Sequence, residues 1–181
     1  LEISKNTSGE ITMETNLSFL PTNENNLVYK AAKLLQDEFA IKDGVHVWLH
    51  KYIPVAAGMA GGSTDAAAVL YGMNQIFDLG LTREELMERG VKIGADVPYC
   101  IMRGTALAEG IGEKLSKLPP MVKCPVLIAK PQISVSTKFV YENLKLGSDM
   151  VHPDIDRLVA DIREKDLYKI AADMGLSLIH I

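Results

Sequence analysis

The stretch Ile53–Leu70, IPVAAGMAGGSTDAAAVL, decides how the rest of the chain is read. Gly58, Gly61 and Gly62 stand within five residues, and alanines follow at once. Glycine takes positive φ without a Cβ clash, so neighbouring backbone amides can turn toward one point. A helix that begins directly afterwards adds amides with no intrahelical acceptor and the positive end of its dipole. Together these features suit an anion, phosphate above all. Ser63 and Thr64 add hydroxyls for phosphate oxygens or the shell of a Mg²⁺ ion. The stretch is not a Walker loop, because Ser63 rather than Lys follows Gly62, and the spacing Gly58-x-x-Gly61-Gly62 is not that of a dinucleotide loop. On pattern alone, a tight strand-to-helix turn with small residues for close packing is the other reading. Either way Ala66–Ala68 favour a buried helix face.

The flanks set this stretch in an α+β chain. Upstream, VHVWLHKYIP alternates, with Val45, Val47 and Leu49 on one face and His46, Trp48 and His50 on the other, the pattern of a half-buried strand stopped by Pro54. His46 and His50 are read as part of an amphipathic face rather than as metal ligands. Before that strand, Val28, Ala31, Leu35 and Phe39 recur at helical spacing behind Asn26, a plausible N-cap. The opening LEISKNTSGEITMETN reads as two strands around a turn at Asn6–Gly9. Downstream, the helix after the glycines is expected to run to about Phe77. Thr82 and Glu85 then stand in capping-box spacing before a helix that stops near Gly90. The pattern predicts a strand over Tyr99–Met102 and a hairpin in RGTALAEGIGEKLSKL, where Glu109 and Glu113 read as surface charges. LPPMVKCP is a Pro-rich joint. A strand in VLIAKP, a helix from about Ser136, and two short helices started by Asp154 and Asp166 are expected after it.

The chain has 181 residues, 48% apolar and 23% charged, with net charge −4. That is globular composition. The acidic balance argues against nucleic acid or an anionic membrane surface as the main partner. Cys100 and Cys124 match no zinc spacing and make no disulfide framework. No apolar run approaches the ~20 residues of a membrane span.

Beyond spacing, PVAAGMAGGSTDAAA resembles the P-x-x-x-G-L-x-G-G-S-S-x-A-A loop of the GHMP kinases, with Met59 for the usual Leu and Thr64 for the second Ser. IGADVPYCIMRGTALAEGIGE is similar to the G-A-D-V-P segment and glycine hairpin of one branch of that superfamily, the 4-diphosphocytidyl-2-C-methyl-D-erythritol kinases. LPTNENNLVYKAAKLL and AKPQISVSTKFVYENL resemble that branch in the same order, so the likeness covers nearly all of residues 1–175.

The resemblance implies a two-lobe α+β architecture: a ribosomal-protein-like ATP lobe over residues 1–120 and a partial ferredoxin-like second lobe over 121–175. It implies ATP-dependent phosphorylation, with Mg²⁺, of the 2-hydroxyl of a CDP-linked methylerythritol in non-mevalonate isoprenoid synthesis, in a bacterial cytoplasm or a plastid. Pro54, Val55, Ala56, Ala57, Gly58, Met59, Ala60, Gly61, Gly62, Ser63 and Thr64 would wrap the ATP phosphates, with Asn26 near the nucleotide. Asp96 matches the aspartate that accepts the proton of the attacking hydroxyl and touches the substrate. Thr137 lies where the family approaches the substrate. No metal-ligating residue is assigned. The family's N-terminal lysine and histidine have no counterpart here, so the chain is expected to begin after them, to be truncated in its second lobe and to lack useful kinase activity by itself. Residues 176–181, LSLIHI, resemble a translated sequencing adapter and are left out of the fold. A GHMP kinase of the mevalonate or homoserine type is the alternative, and a non-catalytic nucleotide- or RNA-binding module a more distant one.

Overall fold

In a computed structural model of the chain, the structure describes residues 1–129, 139, 142–143 and 153–175. It is α+β. The strands are β1 (Glu2–Asn6), β2 (Ile11–Thr15), β3 (Gly44–Leu49), β4 (Ala106–Glu109) and β5 (Lys114–Lys117). The helices are α1 (Leu27–Glu38), α2 (Gly61–Ile76), α3 (Arg83–Val91), α4 (Val97–Met102), α5 (Ile155–Glu164) and α6 (Leu167–Asp173). The chain divides into two compact units, residues 1–103 with 108–115, and residues 104–107 with 116 onward.

The first two strands form as expected around their turn, which Asn6 closes by accepting hydrogen bonds from the Ser8 amide (3.0 Å) and hydroxyl (2.6 Å). They do not pair with each other. β3 inserts between them, antiparallel to β1 (Ile3 opposite Val47) and parallel to β2 (Met13 opposite Val47). Gly44 makes the insertion possible. A Cβ there would lie 2.2 Å from the Glu10 carbonyl oxygen and 2.3 Å from Asn6 Oδ1, so only glycine lets β3 enter the gap. The parallel β2–β3 pair requires a crossover, and α1 supplies it.

The alternation of β3 holds: Val45, Val47 and Leu49 are all buried. With Met13 they face Val28, Ala31, Ala32 and Leu35 of α1 and Ala66, Ala67, Val69, Leu70 and Met73 of α2. Each fully buried Leu or Val contributes about 1.5–3 kcal/mol by leaving water. Ala68, grouped with the buried alanines by the sequence, faces solvent one step round the helix. α1 starts where Asn26 accepts from the Val28 amide at 2.9 Å. α3 starts with both halves of the capping box, the Glu85 amide donating to Thr82 Oγ1 (3.2 Å) and the Thr82 amide to Glu85 Oε2 (2.8 Å). Those bonds to Thr82 hold the Glu85 carboxyl below its usual range.

The strand expected over Tyr99–Met102 is instead helix α4. A short apolar run does not distinguish the two by period. Pro98 sits in the first turn, where its missing N–H costs nothing, and the Cys100 amide bonds back to the Asp96 carbonyl at 3.1 Å. Val97 then packs against Gly90, where an added Cβ would come within 2.9 Å of Val97 Cγ1. The glycine-punctuated hairpin forms as β4–β5.

In the second unit, residues 126–129 are not a strand: Val126, Leu127 and Ile128 are exposed, and no described strand pairs with them. The helix expected from Ser136 and the tail 176–181 fall largely outside the described residues. α5 and α6 start as predicted, Asp154 accepting from the Arg157 amide (3.0 Å) and Asp166 from the Tyr168 and Lys169 amides (3.1 Å each).

Candidate active site

The glycine stretch follows β3 and enters α2 from a left-handed residue, Ala60 (φ 47°, ψ 28°). Ala56 (φ 53°), Gly58 (φ 65°) and Ala60 thus take positive φ at every second position. Two of these three are alanines, so the glycines do not mark all the turning points. A left-handed alanine costs roughly 1–2 kcal/mol, and such strain persists only where the surroundings over-determine it. The first intrahelical bond of α2 runs from the Thr64 amide to the Ala60 carbonyl at 2.8 Å. The amides of Gly61, Gly62 and Ser63 come before it, at the positive end of a 16-residue helix that has no side-chain cap.

Beside this turn lies a cleft of about 330 Å³. Its lining takes in every residue from Pro54 to Gly62, together with Asn26, Leu20, Lys51 and Asp65. Ser63 and Thr64 belong to the first turn of α2 but are not part of that lining. Thr64 is exposed and its hydroxyl is engaged, donating to the Ala60 carbonyl at 3.0 Å and lying 3.4 Å from Cys100 Sγ. Asn26 spends both ends of its amide on the protein, Oδ1 on the Val28 amide and Nδ2 donating to the Pro21 carbonyl at 2.8 Å. It ties the loop before α1 to the cleft wall.

Asp96 occupies the N-cap position of α4 without making a side-chain cap bond, and it is exposed. It is outside the cleft lining but close enough to act on Cys100, whose thiol is pushed up by burial first and then by the Asp96 and Asp65 carboxylates, against its hydrogen bond with Thr64. A carboxylate with no cap to serve, near the first turn of α2, is free to accept a proton from a hydroxyl brought to it. Thr137 lies outside the described residues. Glu109 and Glu113 do not form a pair for a metal: Glu113 folds back to accept from the Ile111 amide at 2.7 Å. Its carboxyl is held down by its own backbone N–H and by that of Ile111. His46 lies 2.9 Å from Thr12 Oγ1 through Nδ1 and 3.8 Å from Glu14 through Nε2, on the solvent face of the sheet. Among the described residues no group of three or more His, Cys, Asp or Glu side chains could hold a metal ion.

Sequence reasoning overlooked Lys51. The alternation that turns Val45, Val47 and Leu49 inward also turns Lys51 inward, and it is only 7% exposed. Its Nζ donates to Asp65 Oδ2 at 2.5 Å, in the first turns of α2. Asn16 holds its backbone on both sides, accepting from the Lys51 amide (2.7 Å) and donating to the Lys51 carbonyl (3.2 Å). The signal was legible: a charged residue in phase with a buried strand face needs a partner.

Residues 26–104 match the family described as GHMP kinases N terminal domain. A 4-diphosphocytidyl-2-C-methyl-D-erythritol kinase of Lachnoclostridium phytofermentans is 58% identical over 172 residues, which cover 95% of this chain and 59% of that protein. One of Lachnospira eligens is 58% identical over 166 residues, covering 92% and 58%. The chain therefore spans less than two thirds of the length of these relatives. A crystal structure of a 4-(cytidine 5'-diphospho)-2C-methyl-D-erythritol kinase superposes with a TM-score of 0.67 at 26% identity, over 90% of this chain and 57% of that one. A homoserine kinase of Cytophaga hutchinsonii superposes with a TM-score of 0.74 at 18% identity, over 96% and 61%, a likeness of fold alone.

Proposed function

We propose that the chain is a GHMP kinase and carries the nucleotide lobe of an ATP-dependent small-molecule kinase whose acceptor is the 2-hydroxyl of 4-diphosphocytidyl-2-C-methyl-D-erythritol. The carrying observation is the cleft beside the start of α2, walled by Pro54–Gly62 with the Gly61 and Gly62 amides ahead of the first helical bond. That arrangement suits the phosphates of a nucleotide. The 58% identity to two relatives of that name supports this acceptor over homoserine or mevalonate.

ATP fits the residues present. The amides of Gly58–Ser63 and the Ser63 hydroxyl would receive phosphate oxygens, Asn26 would close the wall beside the nucleotide, and residues 1–120 would form the lobe that holds it. Mg²⁺ would rest on phosphate oxygens, water and Ser63 rather than on a protein carboxylate cage, the usual manner for that ion at nucleotide sites. When bound, the ion neutralises charge on the transferring phosphoryl group. Asp96 takes the proton of the attacking hydroxyl and orients it. Transfer of a phosphoryl group is mainly a matter of positioning and electrostatics, so a preformed amide cradle and one well-placed carboxylate are the parts this lobe contributes.

The test is a substrate panel. ADP release is followed with 4-diphosphocytidyl-2-C-methyl-D-erythritol, homoserine and mevalonate, using this chain and the full-length reading frame that encodes it. Turnover by the full-length protein with the CDP-linked alcohol alone is expected. Turnover with homoserine or mevalonate instead would overturn the acceptor assignment.

A further inference from the structure

We infer that the buried ion pair between Lys51 and Asp65 is the clamp that keeps the glycine turn in its anion-binding shape, and that both are positioning residues for nucleotide binding. This rests on the reading of the cleft as a nucleotide site.

The pair joins the two ends of the turn. Lys51 closes the inward face of β3, and Asp65 stands one turn into α2. The side chains are 5% and 15% exposed, and both residues line the cleft. The Lys51 end is rigid, because Asn16 brackets its backbone amide and carbonyl from the end of β2. The Asp65 end is rigid because it belongs to a helix packed through Ala66, Val69 and Leu70 into the core. Between these anchors lie three left-handed residues, two of them alanines, whose strain would relax if either anchor were released.

Gly61 is fitted to the same pair. A Cβ on Gly61 would lie 2.8 Å from Lys51 Nζ and 2.8 Å from Ile53 Cγ2. The ammonium and Ile53 therefore lie close against the first residue of α2, and glycine serves there for the close approach rather than for its φ. A lysine at the positive end of a helix is unfavourable by itself. Asp65 offsets that charge and aims it. The ion pair thus sets the position of the Gly61 and Gly62 amides in the wall of the cleft that an anion would enter.

The experiment measures MgADP affinity by calorimetry, thermal melting, and amide hydrogen exchange over residues 56–62. The 181-residue chain is compared with its Lys51→Met/Asp65→Leu, Asp65→Asn, Asp65→Glu and Gly61→Ala variants. The double variant replaces the ion pair with apolar groups of similar size, an exchange that often preserves stability. If the turn then holds its binding shape only about a tenth of the time, apparent affinity falls about tenfold. The expected result is that loss, with faster exchange over 56–62 and unchanged melting. Gly61→Ala, which displaces the ammonium and keeps both charges, should lose affinity likewise. Asp65→Glu should retain more than Asp65→Asn. Wild-type affinity in the double variant and in Gly61→Ala would overturn the clamp and leave the nucleotide reading standing. Failure of the wild-type chain to bind MgADP at all would overturn both.

Discussion

Replacing Asn26 separates two jobs that one side chain performs. Its Oδ1 caps α1 through the Val28 amide, and its Nδ2 holds the Pro21 carbonyl on the cleft wall. Asn26→Ala removes both. Loss of the cap costs about 1 kcal/mol, and loss of the Pro21 bond about 0.5–1 kcal/mol net. The sum, roughly 1.5–2 kcal/mol, lowers Tm by on the order of 10 °C for a domain near 100 residues. Asn26→Asp keeps the acceptor at a helix N-terminus, where a carboxylate is welcome, and removes only the donor. It should lose about 0.5–1 kcal/mol, the Pro21 bond without the cap, and so less than the Ala variant. The new carboxylate stands on the wall of a cleft read as a phosphate site, so MgADP affinity should fall about tenfold, the order of one like-charge contact in a half-solvated site. Thermal melts and calorimetric titrations of the two variants supply the data. An Ala variant that melts with wild type would refute the cap. Equal destabilisation by Ala and Asp would move the energy to the Pro21 bond. An Asp variant that binds MgADP as tightly as wild type would refute the placement of phosphate beside Asn26.

Other substitutions probe the remaining links. Gly44→Ala drives a methyl to 2.2 Å from the Glu10 carbonyl, a backbone atom that cannot swing aside. It should cost at least the ~3 kcal/mol upper end of overpacking, read by urea melts. Asp96 is exposed and makes no cap bond, so Asp96→Asn should leave the melt within about 0.5 kcal/mol of wild type. The same change in the full-length protein should lower phosphoryl transfer by ~10²–10⁴-fold, the usual worth of a general base. In the second unit, Asp161 is 5% exposed, and its carboxyl is raised above the ordinary 3.8 by burial first and then by Asp173, with Lys169 and Arg157 opposing. A raised acid binds its proton more tightly when folded. Its contribution is therefore complete below pH 3.8 and is lost as pH rises through the folded value. Asp161→Asn should flatten that decline in pH-dependent melts of α5 and α6; an unchanged slope would assign it elsewhere.

The local signals were the legible ones. Asn26, Thr82 with Glu85, Asp154 and Asp166 each announced a helix start, because capping is a bond between residues two or three apart. The β3 alternation was equally readable, and its phase extended to Lys51 without being followed there. What escaped was set by distant contacts. β1 and β2 look like a hairpin in sequence, and only the approach of Gly44 to Asn6 and Glu10 reveals the strand that parts them. The helix over Val97–Met102 is decided by Gly90, which gives Val97 room, and by Pro98 in a first turn rather than in a strand. The left-handed conformations of Ala56 and Ala60 are imposed by anchors at both ends of the turn, and composition pointed to the glycines instead.

The central claim is that the turn from β3 into α2 receives nucleotide phosphate. Backbone amide chemical shifts of the ¹⁵N-labelled 181-residue chain, followed during titration with MgADP, test it most directly. The largest shifts should fall on Gly58, Gly61, Gly62 and Ser63, with smaller ones at Asn26 and none on the solvent face of the sheet around His46 and Trp48. Saturable binding whose shifts map away from residues 54–63, or no binding at millimolar MgADP, would contradict it.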